Sequence, residues 1–184
     1  DNSSEKAVVN QFQLGRFSDV AIGSDNDETF LMLGGDDTVK AGGGFDRLRF
    51  DRNGIEGITL DMTNTGSRGD DTTTAEIDES INYDGTAVGS YDDGNGAVGF
   101  TVYSEDVERF RGSREDDLMI ADDSGVHFLA RSGNDTLIGA AGNHTPDRGS
   151  GTNDLIGGGC YHHIFDGGGR GSTSIQPVSA QHFS

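Results

Sequence analysis

Residues 33–50 read LGGDDTVKAGGGFDRLRF. Twice within that stretch an acid follows a glycine by two positions and precedes a large apolar residue by two: Gly35, Asp37, Val39 and then Gly44, Asp46, Leu48, nine residues later. Glycine takes the left-handed or extended turn conformations that other residues resist. The residues around each apolar position are enough for one short strand, whose central side chain points inward while its neighbours point outward. Alternation of glycine turn and three-residue strand is the pattern of a coiled, all-β stack.

Working outward, the period holds. Acids stand at Asp19, Glu28, Asp37 and Asp46, and two residues after each come Ala21, Phe30, Val39 and Leu48. Asn26 takes the glycine position before Glu28, in the segment GSDNDETF that also carries Asp25 and Asp27. A second register starts at Asp117 and runs through Val126, Asp135, His144, Asn153 and His162. Its apolar partners are Met119, Phe128, Leu137, Pro146, Leu155 and Ile164, five of the six apolar by ordinary measure. The clearest segments are GSREDDLM, with Ser113 and Glu115, and RSGNDTLIG, with Gly133.

This spacing resembles the RTX (repeats-in-toxin) nonapeptide family, whose repeat is G-G-x-G-x-D-x-U-x with U a large apolar residue. The resemblance covers roughly 17–50 and 112–166. It implies a parallel β-roll or β-helix in which two nonapeptides make one coil, so equivalent turns lie 18 residues apart. Asp19 then stacks near Asp37, Glu28 near Asp46, and Asp117 near Asp135, with Asn153 following. It further implies Ca2+, which takes six to eight oxygens at about 2.3–2.6 Å from carboxylates and carbonyls. The expected ligand positions are Asp19, Asp25, Asp27, Glu28, Gly35, Asp37, Gly42, Gly44 and Asp46 in the first block. In the second they are Ser113, Glu115, Asp117, Gly133, Asp135 and Asn153. Secretion from a Gram-negative bacterium by a type I route belongs to the same implication. On the alternate edge of the second block, His144 and His162 would stack with His163 and Cys160 nearby. Imidazole suits zinc, copper or nickel, but the preferred reading is a lapsed repeat with weak or absent calcium.

Composition agrees with a chain held by more than apolar burial. Hydrophobic residues make up 32%, against roughly 45–50% in ordinary domains, while 30 of 184 residues are glycine. Acids number 32 and bases 13, a formal charge of −19, and Asp outnumbers Glu by 24 to 8. Such self-repulsion opposes compaction unless counterions bind. It also argues against nucleic acid or an anionic membrane surface as partner. Cys160 is the single cysteine, so no internal disulfide forms, and no apolar run is long enough to span a membrane. Asp1–Lys6 is polar and shows no cleavable leader, which leaves a mature product and a piece of a longer protein both open.

Between the blocks, 52–111 reads as a β-rich insert continuing the stack. Ile58, Leu60 and Met62 share one strand face, Val98, Phe100 and Val102 another, and Val107 and Phe110 precede the second block. Ser67–Thr74 and Tyr91–Gly96 are loop candidates, and Asp92 and Asp93 are read as solvated turn residues. Residues 1–51 hold an N-terminal cap and the first block, 112–166 the second block, and 167–184 a tail. Signatures of zinc proteases (H-E-x-x-H), serine hydrolases (G-x-S-x-G) and phosphate-binding loops are absent. Tyr83, Tyr91, Tyr103 and Arg109 could line a lyase or epimerase groove but read better as packing and surface residues. The expectation is a non-enzymatic calcium-folded module of an exported protein. The alternatives are an adhesive module that holds a glycan or neighbouring copies, and, more weakly, a polysaccharide lyase or epimerase.

Overall fold

The computed structural model describes residues 10–68 and 81–156. The N-terminal lead-in before Asn10, most of the Ser67–Thr74 loop, and everything after Ile156, including Cys160, His162, His163, Ile164 and the tail, lie outside the described residues.

The described residues hold no helix and form sixteen strands, most of them three residues long. They are β1 (Gln11–Gln13), β2 (Val20–Ile22), β3 (Thr29–Leu31), β4 (Asp37–Lys40), β5 (Arg47–Arg49) and β6 (Thr59–Asp61). Then come β7 (Gly66–Arg68), β8 (Ile81–Tyr83), β9 (Gly85–Asp92), β10 (Ala97–Glu105) and β11 (Arg109–Arg111). The last are β12 (Leu118–Ile120), β13 (His127–Leu129), β14 (Thr136–Ile138), β15 (Thr145–Asp147) and β16 (Asp154–Ile156).

Sheet A is a six-stranded ladder in the order β1-β3-β5-β11-β13-β15, parallel throughout. Sheet B has eight strands in the order β16-β14-β12-β6-β9-β10-β4-β2. The register is that of coils 18 residues long: Phe12 pairs with Phe30, Phe30 with Leu48, Ala21 with Val39, Met119 with Leu137, and Leu137 with Leu155. Along the coils the central apolar residues lie between sheets A and B, with Phe30, Val39, Leu48, Leu60, Phe110 and Met119 fully covered and Phe12 of the first strand only partly buried. Burial of each large side chain of this kind contributes roughly 1.5–3 kcal/mol, and the turns add further buried apolar residues, Met32, Phe50, Met62 and Ala130 among them. The rings of Phe12 and Phe30 stack at 5.0 Å and those of Phe110 and Phe128 meet edge to face at 6.2 Å.

The insert is accommodated unequally. On sheet A, β5 pairs directly with β11, Leu48 opposite Phe110, as if nothing intervened. On sheet B, the antiparallel hairpin β9–β10 is wedged between β4 and β6, and β10 runs parallel to β4 while β9 runs antiparallel to β6. β6 and β11 keep coil register with β12 and β13, so the extra chain lies between Met62 and Glu108. β7 and β8 form a separate two-stranded ribbon. Ile58, Leu60 and Met62 face the core, as do Phe100 and Val102, but Val98 is 38% exposed. Val98 shares their face by alternation and is uncovered because the four-residue β4 pairs only with Val102–Glu105 of the nine-residue β10 and leaves the Val98 end without a neighbour on that side.

Candidate metal sites along two turn edges

The coils have two edges of turns. Turns from sheet A to sheet B end at Asp19, Asp37, Ile58, Asp117, Asp135 and Asn153, each just before or at the start of a sheet B strand. Turns from sheet B to sheet A end at Glu28, Asp46, Glu108, Val126 and His144, each just before a sheet A strand. Glu28, Asp37, Asp46, Asp117, Asp135 and Asn153 are all buried, whereas Asp19 at the first coil is half-buried.

Along each edge a side-chain oxygen accepts the N–H of the equivalent residue one coil earlier. On the first edge Asp19 donates to Asp37 Oδ1 at 2.9 Å, Asp117 to Asp135 Oδ1 at 2.9 Å, and Asp135 to Asn153 Oδ1 at 2.7 Å. Ile58 donates to Asp117 Oδ1 at 2.9 Å, so an apolar residue fills the acid position of the third coil. On the second edge Glu28 donates to Asp46 Oδ1 and Asp46 to Glu108 Oε2, both at 2.7 Å. Within the turns, Ser113 caps Asp117 through its N–H at 2.8 Å and its hydroxyl at 2.6 Å, and Ser24 caps Glu28 in the same way.

These carboxylates are incompletely satisfied. Asp46 Oδ2 and Asp135 Oδ2 are buried with no hydrogen-bond partner among the described residues. Burial pushes the Asp46 carboxyl up to about 6 against the pull of the Glu28 N–H, and the nearby Glu108 and Glu28 carboxylates add to the rise. Burial likewise raises Asp117 to about 6, opposed by its bonds from Ser113 and Ile58, and Asp135 to about 7, opposed by the Asp117 N–H. A buried acceptor without a donor carries a cost of about 1–3 kcal/mol, and a hard cation relieves that cost.

The turns also bring carbonyls close. Gly44 and Gly133 have φ of 128° and 124°, and a Cβ on either would lie 2.4 Å from the Asn26 oxygen or 2.3 Å from the Glu115 oxygen of the coil below. Only glycine fits there, by conformation and by space. Among the described residues no three carboxylate, imidazole or thiol groups converge on one point. An ion on either edge would therefore take most of its oxygens from the main chain, with a carboxylate or two supplying charge. That donor set, all oxygen and flexible in number, suits calcium rather than a transition metal.

Each expected ligand position has a definite place. Asp19 and Asp37 adjoin, as do Glu28 and Asp46, and Asp117, Asp135 and Asn153 form one run. Asp25 is exposed, and Asp27, also exposed, accepts the Phe45 N–H at 2.9 Å in a second, outer ladder. Glu115 is exposed and its carbonyl, rather than its carboxylate, lies against Gly133, while Gly35 and Gly42 pack against the Phe17 and Ser24 carbonyls. The two edges lie on opposite sides of the stack, and the β9–β10 hairpin separates Asp37 from the upper run of the first edge. Glu108 escaped the periodicity because it lies 62 residues from Asp46 rather than 18. Its signal was present: Glu108-Arg109-Phe110 repeats the acid-x-apolar spacing of Glu28-Thr29-Phe30.

Other candidates disperse. His144 is buried beside Phe128, Leu137, Pro146 and Leu155, and its proposed stacking partners lie outside the described residues. Tyr83 packs on Tyr103 at 5.0 Å, Tyr91 is buried under Arg16, and Arg109 stands on sheet A, so the four residues share no groove. Asp92 and Asp93 cap the hairpin turn through N–H bonds from Gly94 and Asn95. Compared with family models and with curated proteins, the chain matches none.

Proposed function

We propose that the chain is a non-catalytic calcium-binding module of the RTX type, folded by calcium and serving an exported bacterial protein. The observation that carries this reading is the pair of buried carboxylate oxygens, Asp46 Oδ2 and Asp135 Oδ2, that lack a donor in turns lined by main-chain carbonyls. Burying carboxylates with raised proton affinity is unfavourable in isolation. Calcium converts that unfavourable burial into a binding free energy that the unfolded chain does not receive. The −19 charge acts in the same direction, since compaction without counterions is opposed.

A calcium titration followed by far-UV circular dichroism tests it. β-Structure should grow as free calcium passes about 0.1–1 mM, the range of extracellular sites, and magnesium should substitute poorly because it demands octahedral geometry and dehydrates reluctantly. Full β-structure in excess chelator, unchanged on adding calcium, would sink the reading.

A further inference from the structure

We propose that the outer face of sheet A binds a multivalent oxyanion, a sulfate or phosphate ester carrying two or more negative charges. Strands β5 and β11 place Arg47 opposite Arg109 and Arg49 opposite Arg111. Adjacent strands are about 4.8 Å apart and alternate residues on one strand about 6.6 Å apart, so four guanidinium groups rise from a compact two-by-two grid. Arg131 extends it. One carboxylate answers this group: Asp51 takes Arg49 through two bonds of 2.9 and 2.8 Å, Arg131 at 3.0 Å and Arg111 at 3.4 Å.

Arg47 and Arg109 have no ion pair among the described residues, and the buried Nε of Arg109 has no hydrogen-bond partner. Like charges directly opposite on neighbouring strands are destabilising. The effect is visible in Arg47, whose proton affinity is lowered by burial and then by Arg109 and Arg49. Elsewhere sheet A fills the position of Arg47 and Arg109 with Gln11, Thr29, His127 and Thr145, so the strands do not need arginine there. In a chain with 32 acids, gathering arginines around a single carboxylate is an arrangement that an external anion completes. Guanidinium groups meet tetrahedral oxyanions through paired N–H bonds. The five arginines carry four more charges than Asp51 neutralises, so a group with two or more negative charges suits them better than a monocarboxylate, which neutralises only one. Beside the grid, an open cleft of about 330 Å3 bordered by Arg111, Arg131, Ser132, Asp147 and Ser150 continues the surface. The repulsion of the remaining acids is screened beyond about 8 Å at physiological ionic strength, so the local face governs a bound ligand.

The inference does not rest on the calcium reading. The full chain is assayed by titration calorimetry in 5 mM calcium (about five-fold above the top of the expected range), or without it should calcium prove unnecessary for folding. The probes are sucrose octasulfate, glucose 6-phosphate and glucuronate. Both sucrose octasulfate and glucose 6-phosphate should bind at least ten-fold tighter than glucuronate, and binding of the octasulfate alone restricts the ligand to a polysulfated ester. Arg47→Ser with Arg109→Ser should weaken that binding at least ten-fold with no fall in melting temperature. Arg52→Ser with Arg114→Ser removes equal charge elsewhere and should leave it unchanged. The His127 imidazole, held below its ordinary value by burial and by Arg109, should titrate at higher pH when the ester is bound. Absence of ester binding, equal binding of glucuronate, or an equal loss in the two double variants overturns the proposal.

Discussion

The second edge offers the same turn filled in two ways. In its lower coils the position before the sheet A strand holds Glu28, Asp46 and Glu108, and in its upper coils Val126 and His144. The backbone does not distinguish them. Arg47 donates to the Glu28 carbonyl at 3.0 Å, Arg109 to Asp46 at 3.0 Å, His127 to Glu108 at 2.8 Å and Thr145 to Val126 at 3.3 Å. Sheet A keeps one register across both halves, Leu48 to Phe110 to Phe128 to Pro146. A buried valine therefore keeps the strand register without the desolvation of a carboxylate, although it cannot accept the N–H of the coil below as Asp46 and Glu108 do. The acids of the lower coils are not required by the coil geometry, and this difference is the reason to assign them a ligand.

The largest effect that could break this comparison is on the shared column rather than on the edges. Leu137→Ala should cost on the order of 2–5 kcal/mol in calcium-saturated protein, measured by denaturant unfolding, with calcium affinity retained. If affinity falls in step with stability, column and edges are not separate. Next is pH. Asp46, Asp117 and Asp135 have folded values of about 6, 6 and 7, above the roughly 3.9 of an unfolded aspartate. Metal-free chain should therefore be most stable near pH 4 and lose stability progressively as pH rises from there through 6 to 7, by on the order of 1–3 kcal/mol per group. Below about pH 4 the trend should reverse, because Asp51, held low by Arg49, Arg111 and Arg131 despite its burial, loses its pairs on protonation. Saturating calcium should remove the loss above pH 6. A metal-free stability profile flat from pH 5 to 8 would contradict the assignment of strained carboxylates.

Two smaller effects sharpen the contrast. Asn153 already shows what an amide does at an acid position: its Oδ1 accepts the Asp135 N–H and its Nδ2 donates to the Arg148 carbonyl at 2.6 Å. Asp135→Asn should keep the bond from Asp117 and raise metal-free stability at pH 7.5 by about 1–2 kcal/mol, while calcium binds more weakly. Asp135→Ala is the poorer probe, because it also strands the Asp117 N–H. On the second edge, Asp46→Asn should reduce calorimetric calcium uptake, whereas His144→Gln in the upper coils should leave it within error. Equal losses in those two variants would erase the difference between the halves.

Much of this was legible in the residues. The nine-residue alternation of glycine, acid and apolar residue identified the strands, the inward column and the 18-residue stacking of Asp19 with Asp37 and Asp117 with Asp135, because those relations depend only on the period. The chain's order alone also located the turns in which glycine is obligatory. Tertiary structure decided what the period could not carry across the insert. It joined Leu48 to Phe110 and so placed Glu108 above Asp46, because strand pairing acts through space and ignores the length of chain between partners. It put the β9–β10 hairpin of the insert into sheet B and left sheet A uninterrupted. It gave the aspartates a second role as acceptors for the coil below, since the direction of a side chain within a turn depends on the coil it packs against. And it set Arg47 beside Arg109, two residues that no local pattern connects, because a parallel register brings equal positions of distant coils onto one face.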